Sequence, residues 1–277
     1  MIPSMGEIDK AVVLAAGLGT RMRRAGAETD LSPQQREAAD RGHKALMPVA
    51  ADRPFLDYAL TALADAGYTR VCLVVGPDHD AVRLRYQHLC RPRRLALEFA
   101  VQAHPLGTAD AVRSAETFAA GDQFLVVNSD NLYPVEALEA LRRLNGPGLA
   151  AFERQALVEQ GNIPPERIAR FAVLQIDPDG CLRQIVEKPD PHTLDATEEI
   201  YISMNCWRFD PSFFESCRSI QPSSRGEFEI ASAVEHSIRC LARRYQALRF
   251  RLGVLDLSSR QDVPAVAHRL TRLEVDL

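Results

Sequence analysis

The chain has 277 residues, enough for one large α/β domain or two small ones at roughly 100 to 200 residues per domain. Hydrophobic residues at 46% and charged residues at 25% exclude a disordered chain, whose low hydrophobicity cannot offset the entropy of folding. Lys and Arg number 33 against 37 Asp and Glu, a net charge of −4, which excludes the basic excess that a nucleic-acid backbone requires.

No run approaches the roughly 18 apolar residues of a membrane span, and the start, MIPSMGEIDK, lacks the pattern of a signal peptide. A cytoplasmic protein is expected. The six cysteines, Cys72, Cys90, Cys181, Cys206, Cys217 and Cys240, show no CxxC pair and no zinc-ligand spacing, and are read as reduced thiols. The seven histidines form no HxH or HExxH pattern and are read as structural.

Residues 10–16, KAVVLAA, form the continuous apolar run of a strand covered on both faces, and similar runs recur at 70–75 and 123–127. Between them, 54–66 places Leu56, Ala59, Leu60 and Leu63 on one helical face, with Gly67 where a helix end prefers glycine. Residues 95–101 alternate as a strand and 108–118 read as a helix. After Gly146-Pro147-Gly148, strand-like pieces follow at 149–153, 170–176, 182–186 and 201–209. Helical patterns at 227–242 and 261–273 then flank a last strand at 246–252. The order predicts an α/β, Rossmann-like doubly wound fold: a mostly parallel central sheet, helices on both faces, and mixed or antiparallel strands added in the second half. With no repeat or long linker, a single domain over 1–277 is expected, its first half near 8–145 and its second near 146–277. Within 31–42, Ser32 reads as an N-cap, Pro33 as the first helical residue, Gln35 as the capping-box partner and Gly42 as the stop.

Directly after the first strand comes a glycine-bearing turn, Ala15-Ala16-Gly17-Leu18-Gly19-Thr20-Arg21-Met22. It is neither common phosphate loop: Met22 stands where a dinucleotide fingerprint needs a third glycine, and a Walker loop needs Gly-Lys followed by Ser or Thr. Gly17 and Gly19 nevertheless allow backbone amides to approach phosphate oxygens, while Arg21 and Lys44 supply cations.

The series LAAGLGTRM, KALMPV and RPFLDYAL resembles the signature of sugar-1-phosphate nucleotidylyltransferases, the NDP-sugar pyrophosphorylases of the glucose-1-phosphate thymidylyl-, uridylyl- and adenylyl- and mannose-1-phosphate guanylyltransferase type. The residues between Met22 and His43 depart from it, because the family places its Lys nearer the Arg. Further along, Gln102 with Pro105 to Ala111 is similar to the family's Q…P.GtAdA segment, and Asn128-Ser129-Asp130-Asn131 to the strand end that keeps a metal-binding Asp. Glu187-Lys188-Pro189 is similar to EKP, Ile202-Ser203-Met204-Asn205 to a sugar-pocket strand, Arg225 to Ile230 to rGE.EI, and Val254-Leu255-Asp256 to WLD.

The resemblance implies transfer of a nucleotidyl group from a nucleoside triphosphate to a sugar 1-phosphate, with pyrophosphate leaving in line. It implies catalytic roles for Arg21, Lys44, Asp130 and Lys188, and nucleotide binding by Leu14, Ala15, Ala16, Gly17, Gly19, Thr20, Arg21, Gln102, Gly107 and Thr108. Substrate binding falls to Asn131, Ala172, Glu187, Lys188, Ser203, Asn205 and Arg225, with Mg²⁺ on Asp130 and Asp256. Two polyanions must meet, so a cation and basic side chains offset their repulsion, and a phosphate oxygen already ionised needs no general base. Ala172 and Asn205 stand where the family usually has glycine, which points to a non-standard acceptor such as a deoxy-, amino- or cyclitol phosphate.

Transfer to a non-sugar phosphate acceptor, and a regulatory protein that binds without turnover, stay open as alternatives. A glycosyltransferase is disfavoured because NSDN stands where that class carries DxD. No partner nucleic acid or membrane is expected, and a dimer or tetramer stays open.

Overall fold

The computed structural model describes residues 6–24, 30–187, 189 and 199–277. In chain order its strands are β1 (Lys10–Leu14), β2 (Arg70–Val75), β3 (Ala96–Val101), β4 (Phe124–Asn128), β5 (Asn131–Leu132), β6 (Gly148–Glu153), β7 (Ala172–Ile176), β8 (Leu182–Val186), β9 (Tyr201–Phe209), β10 (Gln246–Phe250) and β11 (Leu255–Asp256). Nine of them form one sheet, ordered β10-β6-β9-β4-β1-β2-β3, with β7 and β8 branching from β9. β1 lies parallel between β2 and β4, Val12 facing Cys72 on one side and Val126 on the other. β9 inserts antiparallel between β4 and β6. The parallel first half and mixed second half are those expected from sequence.

Side chains alternate across the pleat, so β1 serves two cores. Ala11 and Val13 pack in one layer with Leu56, Leu60 and Leu63 of the helix Phe55–Asp65. Val12 packs in the other, with Val112, Phe118 and Val234. Burial on both faces is why the strand reads as an uninterrupted apolar run.

Three expected helices depart from the periodicity, that at 261–273 being helical only over Asp262–Leu270. The run 108–118 divides into Thr108–Arg113 and Glu116–Ala119, because Ser114 Oγ donates back to the Asp110 carbonyl and the Ala115 N–H tightens onto Val112. The run 227–242 becomes helical only at Ile230, whose N–H is capped by Thr108 Oγ1 at 3.0 Å. Arg225 and Glu227 therefore lie on a loop. The insert folds as its sequence implies: the helix Pro33–Arg41 starts at a full Ser32–Gln35 capping box and stops at Gly42, whose φ of +73° is left-handed.

Candidate active site

The carboxyl ends of β1 and β4 open into a cleft of about 380 Å³, the place where open α/β sheets hold ligands. Leu14, Ala15, Ala16, Gly17 and Thr20 line one wall. β1 stops at Ala15, whose N–H donates to the Val74 carbonyl at 2.8 Å. Among the described residues, the N–H groups of Ala16, Gly17, Leu18 and Gly19 then find no acceptor. A run of free amides of this kind makes an anion cradle. Gly17 has open space where a Cβ would stand. Gly19 has a different reason to be glycine: φ is +62° and a Cβ would lie 2.2 Å from the Gly42 carbonyl oxygen. Loop and insert are packed backbone to backbone.

The cations expected from sequence are distributed unequally. Lys44 lines the cleft, its Nζ 2.8 Å from Asp130 Oδ2, and both side chains are only partly exposed. Arg21, on the short helix Thr20–Arg23, is exposed and is absent from the cleft wall. Lys188 lies outside the described residues. Gln102, Gly107 and Thr108 also line the cleft, but the Thr108 hydroxyl oxygen is engaged by Ile230 N–H.

Asp130 and Asp256 are brought close by a two-stranded antiparallel ribbon in which β5 pairs with β11 and Asn131 faces Asp256. Their surroundings differ. Asp130 reaches the cleft, whereas Asp256 is 3% exposed and behind it. Asp256 Oδ1 accepts from Asn131 Nδ2 at 3.1 Å and Ser258 Oγ at 2.9 Å, and Oδ2 accepts from the Arg167 guanidinium. Arg167 also donates to Asp262, so one guanidinium serves two buried carboxylates. Burial first, then the neighbouring Asp130 carboxylate, push the Asp256 carboxyl up to about 6. Asn131, expected as a substrate ligand, is itself buried in this network.

On the acceptor side, the Arg225 guanidinium donates to Glu229 at 2.8 Å. Glu187 is a neighbour of both, and its charge helps raise Arg225 after the Glu229 hydrogen bond and charge. Ala172 faces Ser203 across the β7–β9 ladder. Asn205 has φ of +56° in the bulged part of β9, between Ser203 and Trp207. A glycine-like backbone is retained there by a residue that tolerates it, and Asn205 Oδ1 accepts from Trp207 Nε1 at 3.4 Å.

Three residues of this region carried no sequence signal as partners. His43 and His79 line the cleft. Burial holds both imidazoles below their ordinary value, and Gly76 N–H points at His79 Nδ1 at 2.8 Å, a bond open only to a ring unprotonated there. Arg167 escapes sequence reading because its two carboxylates are 89 and 95 positions away.

A family model for nucleotidyl transferases matches residues 10–252. The chain belongs to that family. Among curated nucleotidyl transferases it is 33% identical over 238 residues to a glucose-1-phosphate thymidylyltransferase of Streptomyces antibioticus, covering 83% of this chain and 57% of that protein. It is 28% identical over 264 residues to the UTP–glucose-1-phosphate uridylyltransferase AglF of Haloferax volcanii, covering 94% and 96%. The chain thus spans little more than half the length of some curated relatives it matches and nearly all of others. A crystal structure of UDP-glucose pyrophosphorylase complexed with UDP-glucose superimposes with a TM-score of 0.72 at 18% identity, covering 96% of this chain and 100% of that one, a likeness of fold.

Proposed function

We propose that the chain is a single-domain cytoplasmic enzyme that joins a nucleoside triphosphate and a sugar 1-phosphate, or a sugar-like one, giving an NDP-sugar and pyrophosphate. The observation that carries this reading is one cleft lined by the free amides of residues 16–18 and by the Lys44–Asp130 pair. An anion cradle beside an exchangeable ion pair suits a triphosphate and rules against a plain sugar-binding groove.

Members of the family generally need a divalent metal, and we take it to be Mg²⁺. Among the described residues no cluster of three or more His, Cys, Asp or Glu could hold a metal, which fits an ion that takes one or two carboxylates and completes its shell with phosphates and water. Asp130 would hold it. Asp256 reaches a cation only after giving up Arg167, and we assign it to supporting the Asp130 ribbon. When bound, the ion neutralises charge on the triphosphate.

The remaining work belongs to the chain. Free amides of the first loop orient phosphate oxygens, and Lys44 turns from Asp130 to the triphosphate. Gln102 and Gly107 hold the base. Arg225, together with Lys188, binds the acceptor phosphate, and Glu187 takes sugar hydroxyls. Arg21 would have to turn inward to reach the triphosphate, and we give it a closing role rather than one in the open cleft.

The test is pyrophosphate release with Mg²⁺, crossing dTTP, UTP, GTP, CTP and ATP against sugar and cyclitol 1-phosphates. Release that requires one base and one acceptor is expected. Nucleotide binding with no release across the grid would refute transfer.

A further inference from the structure

The base-side wall of the cleft contains a hydrogen-bond arrangement that fixes which atom of Gln102 faces a nucleotide. Gln102 is 5% exposed, at the end of β3, and lines the cleft. Its Nε2 donates to the Gly107 carbonyl at 2.9 Å and to Asp110 Oδ2 at 3.0 Å. A side-chain amide has two orientations of nearly the same shape, so chemistry must choose between them. Both partners here are acceptors only. The flipped orientation would set Oε1 against a carbonyl oxygen and a carboxylate oxygen, so nitrogen faces the protein.

The consequence falls on the other atom. Among the described residues no donor reaches Gln102 Oε1, and no buried side-chain nitrogen or oxygen lacks a partner. Oε1 is therefore open to the cleft. The Gly107 N–H likewise finds no acceptor among the described residues. The backbone on either side is tied to Phe228, whose N–H donates to the Leu106 carbonyl at 2.7 Å and whose carbonyl accepts from Ala109 N–H at 2.8 Å. The wall presents one acceptor and one donor of fixed identity.

Asp110 is held in turn. It is buried, on the first turn of the helix Thr108–Arg113, and its Oδ1 accepts from Arg113 Nη2 at 2.7 Å, leaving Oδ2 for Gln102. Without Asp110 the amide keeps a single neutral bond to Gly107, and the flipped form loses most of its penalty.

We propose that Asp110 is a positioning residue for nucleotide selection: it locks the Gln102 amide with Oε1 toward the cleft, so that the base is read through an N–H donor on its edge. This rests on the nucleotidyl-transfer reading above. A mobile amide would also accept the opposite donor–acceptor order, so the lock contributes discrimination as well as affinity.

The experiment compares Asp110→Leu, Asp110→Asn, Gln102→Leu, the Asp110→Leu/Gln102→Leu double variant and Arg113→Ala. Each is measured for nucleotide-induced rise in melting temperature and for KM and kcat over the five triphosphates. Asp110→Leu should raise KM for the preferred triphosphate about tenfold, the loss expected for one charge-assisted hydrogen bond. Its preference over the second-best base should fall about tenfold, with kcat and the acceptor KM nearly unchanged. Asp110→Asn, which can still present a carbonyl oxygen, should restore most of the preference, and Arg113→Ala, which frees Asp110 but leaves its carboxylate, should lower the preference less than Asp110→Leu does.

In the Gln102→Leu background Asp110→Leu should change nucleotide KM less than twofold, because the two act through one bond. Additive losses, or unchanged base preference in Asp110→Leu, would overturn the proposal. Should Asp110→Leu not fold, Gln102→Glu decides: a carboxylate against Asp110 and the Gly107 carbonyl must bind nucleotide worse than Gln102→Leu, and equal or better binding overturns it. Nucleotide binding without turnover would sink the transfer reading while the melting shifts still test the lock. Absence of binding by every triphosphate would overturn both.

Discussion

Replacing Arg167 by Leu removes the cation shared by two buried carboxylates and leaves the side-chain volume nearly filled. Asp256 keeps Asn131 and Ser258 as donors, and Asp262 keeps the N–H and hydroxyl of Ser259 at 2.7 and 2.9 Å. Removing one partner of a buried pair costs about 3–5 kcal/mol. Asp256 has an escape that limits its share. With its carboxyl already pushed up to about 6, taking up a proton at pH 7 costs about 1.4 kcal/mol, after which no buried charge remains there.

The sign follows from the direction of the shift. The folded value lies above the ordinary 3.8, so the folded protein binds the proton more tightly and gains stability as pH falls through about 6. Loss of Arg167 raises the carboxyl further and enlarges that gain. The expected loss is about 3 kcal/mol at pH 8 and about 1–2 kcal/mol less at pH 5, where the wild-type carboxyl is already mostly neutral. Urea denaturation of both proteins at the two pH values measures it. A loss below about 1 kcal/mol at pH 8, or one that is equal or larger at pH 5, would refute the buried-pair reasoning.

Asp130→Asn should abolish most pyrophosphate release while leaving the melting temperature near wild type, because it deletes a carboxylate from the cleft surface and not from the core; near-normal turnover would place the cation elsewhere. Gly19→Ala must both hold φ of +62° and clear the Gly42 oxygen at 2.2 Å, so it should cost at least about 1–3 kcal/mol of stability and weaken triphosphate binding; wild-type values in denaturation and binding assays would contradict the close packing. Burial holds His79 below its ordinary 6.5, so its contribution is present above that value and is lost as pH falls through the folded value. His79→Gln should accordingly flatten the fall in melting temperature between pH 7 and pH 5, and an unchanged slope would assign the acid sensitivity to other groups.

Local chemistry makes several features legible in the sequence. The apolar run at 10–16, the alternation at 95–101 and the capping box at Ser32 each depend on near neighbours in the chain, and each folds as read. The ordered motifs likewise resembled those of the nucleotidyl transferases, the family whose model matches residues 10–252, because each motif occupies a short, contiguous segment. Contacts between distant segments decided the rest. Ser114 and Thr108 cut two helices short through bonds that a periodicity count does not contain. Arg21 and Lys44 look equivalent as basic residues near a loop, yet only Lys44 meets Asp130, 86 positions further on. Asp130 and Asp256 read alike as strand-end carboxylates, and the ribbon of β5 and β11 separates them: one faces the cleft, and the other is buried against Arg167. Residue type and local pattern determined which polar groups the chain carries. Burial and long-range pairing, which exist only once the sheet is assembled, decided which of those groups reach the cleft.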